Sequence, residues 1–215
     1  MPEIVRCIDI SHWQGSPDFQ RVAAAGVIAC VMKATEGTGY RDPNCASNTV
    51  KAMKNGIKCA TYHWLKAKRF ASASDQMKFY LETIDPVFGE RVVIDYEESG
   101  VELSDLEEAV RCLLNDSRQL QITVYSGNVL REQLGLTMRN ALLADNTDLW
   151  HAQYTNALPM WSKGTYSSWK LWQFSESGRV NGIAGSTVDL NRFSGTDAQL
   201  LAWISPRPQA APLVA

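Results

Sequence analysis

Asp95 and Glu97 are the residues whose types and spacing most directly suggest chemistry. They lie in Arg91-Val92-Val93-Ile94-Asp95-Tyr96-Glu97-Glu98, where β-prone apolar residues lead into two carboxylates spaced i, i+2. In an extended chain that spacing puts both acids on one face and Tyr96 on the other, with backbones about 6–7 Å apart. Two acids so placed can share a small site and divide acid/base work, one holding a proton and the other a charge. The same pair could also be a polar strand end in solvent, because Asp and Glu are mostly exposed. Whether other reactive groups meet them depends on the elements around them.

Those elements alternate. Apolar runs predict strands over residues 5–11, 27–33, 57–64, the stretch entering Asp95, and 121–125. Helices are predicted between them. The first is opened by Ser16 as N-cap with Pro17 in the first turn and runs to about Ala25; others span 44–55 and 71–84. Another starts on a Ser104-x-x-Glu107 capping box and runs to about Leu114, and a short one spans 128–134. After that come strands over 148–154, 169–174 and 188–193, joined by links rich in Gly, Ser, Asn and Pro. Five βα units followed by three strands predict a parallel sheet closed into a single-domain, TIM-like α/β barrel that has lost helices in its last third. An open doubly wound sheet is the alternative, but the first turn carries no G-x-G-x-x-G phosphate loop.

In a barrel, functional side chains gather at the C-terminal ends of strands. Those ends carry Asp9, Lys33 with Glu36, Tyr62-His63-Trp64, Asp95 with Glu97, Tyr125, Gln153-Tyr154, Trp172-Gln173 and Asp189. Four carboxylates (Asp9, Asp95, Glu97, Asp189) ringed by Tyr and Trp suit a carbohydrate: aromatic faces meet sugar C–H surfaces, and acids cleave glycosidic bonds. Four acids on a rim could also hold Mg²⁺ in a metal-dependent phosphodiesterase. A non-catalytic glycan-binding protein is a third reading. His12, His63 and His151 lack the H-x-x-x-H or H-x-H spacing of a zinc site, so neither a metal nor a cofactor is expected. His63 reads as structural and Glu36 as either a site residue or a loop-ordering acid. Trp13, Trp64, Trp150 and Trp172 read as core or cleft, and Lys66-Ala67-Lys68-Arg69 as a solvated loop.

The chain has 215 residues and a net charge of −2, so bulk electrostatics do not point to nucleic acid. No run of 18 apolar residues exists to span a membrane. Residues 1–6 lack the basic and apolar regions of a signal peptide, so synthesis in the cytoplasm is expected. Five cysteines without a C-x-x-C read as buried free thiols. Residues 1–204 are expected to form the barrel, as a monomer, and the Pro-rich 205–215 a disordered tail.

Several segments, in order, resemble glycoside hydrolase family 25. They are Cys7-Ile8-Asp9-Ile10-Ser11-His12-Trp13-Gln14-Gly15, Lys33-Ala34-Thr35-Glu36-Gly37, Tyr62-His63, Asp95-x-Glu97, Leu171-Trp172-Gln173 and Val188-Asp189-Leu190-Asn191. Each is short; the ordered set, from about Ile8 to Phe193, is what is specific. The resemblance is to the Chalaropsis-type lysozymes, and it implies a flattened (β/α)5β3 barrel. It implies an N-acetylmuramidase cutting the β-1,4 bond between N-acetylmuramic acid and N-acetylglucosamine in the glycan strands of peptidoglycan. Glu97 would be the general acid. Asp95 would stay ionised and orient the substrate's 2-acetamido group as nucleophile, a substrate-assisted exception to the two-carboxylate rule. Asp9, Asp189, Tyr62 and Tyr154 would shape the site, with Glu36, Tyr125 and Gln173 in support. Tyr96 replaces a small apolar residue usual between the two acids and should point outward; Glu98 should lie outside the site. With no signal peptide, such an enzyme would act as a phage endolysin, reaching the wall through a separate membrane pore.

Overall fold

A computed structural model of the chain describes residues 5–135, 137–155, 157, 164–185 and 187–209. Alternating apolar runs and capped helices build β1 (Cys7–Ile10), α1 (Phe19–Ala24), β2 (Ala29–Glu36), β3 (Tyr40–Arg41), α2 (Cys45–Lys54), β4 (Lys58–Trp64) and α3 (Ala73–Ile84). They continue with β5 (Arg91–Asp95), α4 (Leu103–Leu114), β6 (Gln121–Ser126) and α5 (Asn128–Leu134). The last third holds α6 (Ala141–Asn146), β7 (Thr147–Ala152), β8 (Leu171–Gly178), β9 (Val188–Phe193) and α7 (Asp197–Ile204).

The eight longer strands close a barrel. β1, β2, β4, β5, β6, β7 and β8 are parallel neighbours in that order, and β9 closes the ring antiparallel to both β8 and β1. The short β3 adds antiparallel to β2. The expected five βα units and helix-poor final third are therefore present, with two helices beyond those expected from the sequence, α6 and α7.

Two helix starts differ from expectation. Asp18, not Ser16, caps α1: its Oδ1 accepts from the Arg21 amide, while Ser16 Oγ accepts from Lys51. Helix α4 begins ahead of Ser104, where Asp105 Oδ2 accepts from the Glu102 amide at 2.9 Å. In α1 the acid satisfies a free first-turn amide, and in α4 Asp105 reaches back from the first turn to the amide of the N-cap residue.

Strand parity divides the molecule. Outward residues Ile8, Ile10, Cys30 and Met32 pack on α1 and α2, while Val92, Ile94, Tyr96, Ile122 and Val124 pack under α3, α4 and α5. Tyr96 points out of the barrel as expected and donates its hydroxyl to Gln133 of α5. Inward residues Cys7, Val31, Ala60, Val93, Trp150 and Leu171 fill the barrel, joined from below by Leu200, Trp203 and Ile204 of α7.

Arg91 ties α7 to the strands. Its guanidinium donates to the Trp203 carbonyl, Thr123 Oγ1, Asp148 Oδ2 and Gln121 Oε1 at 2.7–3.1 Å, with the Trp203 ring 4.0 Å from its central carbon. The segment after α7 starts against the same end: Gln121 donates to the Ser205 carbonyl, and the Arg207 amide donates to the Gly89 carbonyl. Residues 210–215 lie outside the described residues.

Candidate active site

The inward parity that fills the barrel also fixes what stands at its C-terminal rim. One step above Cys7, Val31, Ala60 and Val93 come Asp9, Lys33, Tyr62 and Asp95; above Thr123 comes Tyr125, and above Leu171 comes Gln173. On antiparallel β9 the corresponding residues are Asn191 and Asp189. A cleft of about 770 Å³ opens there, lined among others by Asp9, Lys33, Tyr62, Asp95, Glu97, Tyr125, Tyr154, Gln173 and Asp189. Eight of the nine expected site residues line it. The exception is Glu36, which turns to Lys33 Nζ (2.7 Å) and Lys66 Nζ (3.3 Å) outside the cleft. Partial burial opposes its charge, but the two lysines hold its carboxyl below its ordinary value. A register irregularity between Lys33 and Thr35 turns the strand there. It leaves Lys33 in the cleft and Thr35 behind it, against His63.

A hydrogen-bond chain braces one wall. Gln173 Oε1 accepts from Tyr125 (2.8 Å) and Tyr154 (3.0 Å), and its Nε2 donates to Asp9. Asn191 Nδ2 donates to Asp9 Oδ2 at 2.7 Å, and Trp150 Nε1 donates to Asn191 Oδ1 at 2.7 Å. Asp9 and Asp189 are direct partners in the β1–β9 register. Burial first, and the Asp189 charge second, push the Asp9 carboxyl well above the usual range; the two acids share a hydrogen bond.

The central pair sits on the other side of Lys33. Burial, then Asp189, raises Glu97 from 4.5 to about 7, with Lys33 opposing. Burial, then Glu97, pushes Asp95 well above its ordinary range, again opposed by Lys33. Asp95 was expected to hold its charge throughout. In the cleft's own field that charge is disfavoured, because the residue is deeper than Glu97 and has it as a neighbour. Asp95 Oδ1 is buried with no hydrogen-bond partner among the described residues. Such an oxygen is costly unless a donor reaches it.

The remaining groups fall as follows. Glu98 is outside the cleft, accepting from Trp64 Nε1 (3.1 Å) and paired with Lys66 (3.0 Å), and so steadies a cleft wall. His63 is structural: its Nδ1 meets Thr35 Oγ1 at 2.7 Å, and burial lowers it to about 4. Among the described residues no group of three or more His, Cys, Asp or Glu is arranged to hold a metal ion.

Sequence reasoning missed three contributors. Asn191 stands i+2 from Asp189, the same-face spacing that singled out Asp95 and Glu97, so its signal was present. Lys33 was seen at a strand end without a role. Glu176 lines the cleft because β8 runs on to Gly178, past the end at Phe174 that its apolar run suggested.

Comparison with known proteins agrees with this geometry. The sequence profile of Glycosyl hydrolases family 25 matches residues 8–183. Lysozyme M1 of Streptomyces globisporus is 30% identical over 217 residues, covering 92% of this chain and 70% of that protein. The autolytic lysozyme of Clostridium acetobutylicum is 31% identical over 193 residues, covering 87% of this chain and 55% of that one. Among solved structures, a lysozyme from Streptomyces coelicolor superposes with a TM-score of 0.82 at 26% identity, covering 95% of this chain and 98% of its own.

Proposed function

Because the chain belongs to glycosyl hydrolase family 25 and is a glycoside hydrolase of the lysozyme type, we propose that it hydrolyses peptidoglycan between N-acetylmuramic acid and N-acetylglucosamine, with Glu97 and Asp95 as the reacting pair. The observation that carries this is their environment. Glu97, raised to about 7, is still half protonated at neutral pH. Asp95 beside it has an oxygen that lacks a donor.

The bond changes follow from those two states. Glu97 gives its proton to the glycosidic oxygen as the C1–O bond breaks. The substrate's 2-acetamido oxygen attacks C1, closing a five-membered ring. Asp95 Oδ1 accepts the acetamido N–H, which stabilises the ionised form that burial alone disfavours and aims the carbonyl oxygen. Water then attacks C1, Glu97 takes its proton, and the acetamido group is released. Tyr62 and Tyr154 bound the sugar. Burial, and the acids around Tyr62, keep both phenols neutral donors.

The test is loss of turbidity of purified peptidoglycan by wild type and Glu97→Gln. Retained lysis by the mutant refutes the mechanism. Reducing ends of N-acetylglucosamine instead of muramic acid would move the cleaved bond, and abolition of lysis by a chelator would favour a metal-dependent reaction.

We extend the proposal to a phage lytic role. Five cysteines, all unpaired, suit a chain held in a reducing cytoplasm until release. Cells expressing the protein should lyse when a membrane pore is supplied and stay intact without one.

A further inference from the structure

Trp13 is the most exposed of the large apolar side chains among the described residues, at 76%. Trp is on average a highly buried residue, so a bare indole on a catalytic face calls for a partner. It lines the same cleft as Asp9 and Glu97, but it follows β1, with β2 and β4 lying between it and β5.

Its mount is unusually firm for a loop. His12–Gln14 is a single 3-10 turn closed at both ends: the Trp13 amide donates to Ser11 Oγ, and the Ser11 amide donates to Gln14 Oε1 at 2.9 Å. Gln14 Nε2 donates to the Thr187 carbonyl at 2.9 Å, pinning the turn to the lead-in of β9. Under the indole lies the His12 ring, 4.6 Å between centroids. His12 is itself held: its amide donates to buried Asp42 at 2.8 Å, and its Nδ1 meets the Tyr40 hydroxyl at 3.0 Å. The two-residue β3 thus places Tyr40 and Asp42 where they brace the ring that braces Trp13. A fixed aromatic face loses little freedom on binding, which is the condition for a useful contact.

We propose that Trp13 is the stacking platform of a sugar subsite away from the cleaved bond, taking the C–H face of a β-1,4-linked amino-sugar ring. This rests on the glycan-hydrolase reading above. Its consequence is chain-length preference: a strand long enough to reach Trp13 gains a contact that a short one lacks.

The experiment compares kcat/KM on soluble peptidoglycan glycan oligomers of increasing length for wild type, Trp13→Ala and Trp13→Phe. The long-to-short ratio cancels any loss of folded protein. Trp13→Ala should lower it about tenfold, equivalent to about 1.4 kcal/mol, mainly through KM, and Trp13→Phe should restore most of it. An unchanged ratio in Trp13→Ala overturns the proposal. A second arm does not depend on turnover: Glu97→Gln is titrated with the long oligomers and followed by indole fluorescence. A spectral shift abolished by adding Trp13→Phe supports the platform even if the cleavage reading fails. Identical titrations with and without Trp13 overturn it even if wall lysis is normal.

Discussion

Asp189→Asn should move the enzyme's working range toward acid. The Asp189 charge is the second cause, after burial, of the high Glu97 proton affinity. The substitution removes that charge and keeps the shape, since an amide can still meet Asp9. The rise of Glu97 from 4.5 to about 7 is worth ~3.4 kcal/mol at 1.36 kcal/mol per pH unit. If Asp189 supplied all of it, the protonated fraction at pH 7 would fall from about one half to about 1 in 300, a ~160-fold ceiling on the loss of rate. Burial is the larger cause, so roughly one unit is expected, and with it a ~5-fold loss at pH 7. At pH 5 Glu97 is protonated in both proteins, and only whatever Asp189 contributes to sugar binding separates them. The assay is kcat/KM on a soluble glycan from pH 4 to 9, which reports the free enzyme. A basic limb that stays at the wild-type pH would refute a role for the Asp189 charge in holding the Glu97 proton.

Other consequences run in different directions. Lys33→Met removes the cation that opposes both raised acids, so the same profile should show its basic limb shifted above the wild-type position. Glu97→Gln should stabilise the fold at high pH. A carboxyl raised in the native state keeps its proton there longer than in the unfolded chain, so stability is lost as pH climbs from 4.5 through 7. The mutant should melt several degrees above wild type at pH 8, with an upper bound of ~3 kcal/mol, and level with it at pH 4 by calorimetry. Arg91→Met strips four acceptors at once and leaves Asp148, partly solvated, without its cation. A destabilisation of about 3 kcal/mol is expected in urea melts at neutral pH.

What could be read ahead of the structure was what local rules control. The inner-face parity of Asp9, Tyr62, Asp95, Tyr125 and Gln173 follows from apolar runs of known phase, so a period of two was enough to bring them together. Glu36 was not placed by that logic: a regular strand gives it the parity opposite to Lys33, the irregularity in β2 between Lys33 and Thr35 brings it to the side of Lys33, and there it pairs with Lys33 and Lys66. The direction of β9 was also hidden. A parallel and an antiparallel strand carry the same alternation, and direction is set by partners distant in sequence. Helix α7 had its signal, Thr196 and Gln199 forming a capping box ahead of Leu200 and Trp203, but at eight residues beside a Pro-rich end its apolar pattern is short. The raised proton affinity of Asp95 lay furthest out of reach, since it depends on burial and on the neighbouring Glu97 charge, neither of which is a property of spacing.

The position of β9 and α7 in the chain has a temporal meaning. The strand that closes the ring carries Asp189 and Asn191, and the helix beneath the barrel supplies Trp203 and the carbonyl that Arg91 holds. All of these are translated after every other part of the catalytic surface. A growing chain can pack its first five βα units early, yet it holds an unsealed ring and an acid pair without the neighbour that tunes it. The ring and its cluster of acids are therefore complete only once β9 and α7 have been made and have docked.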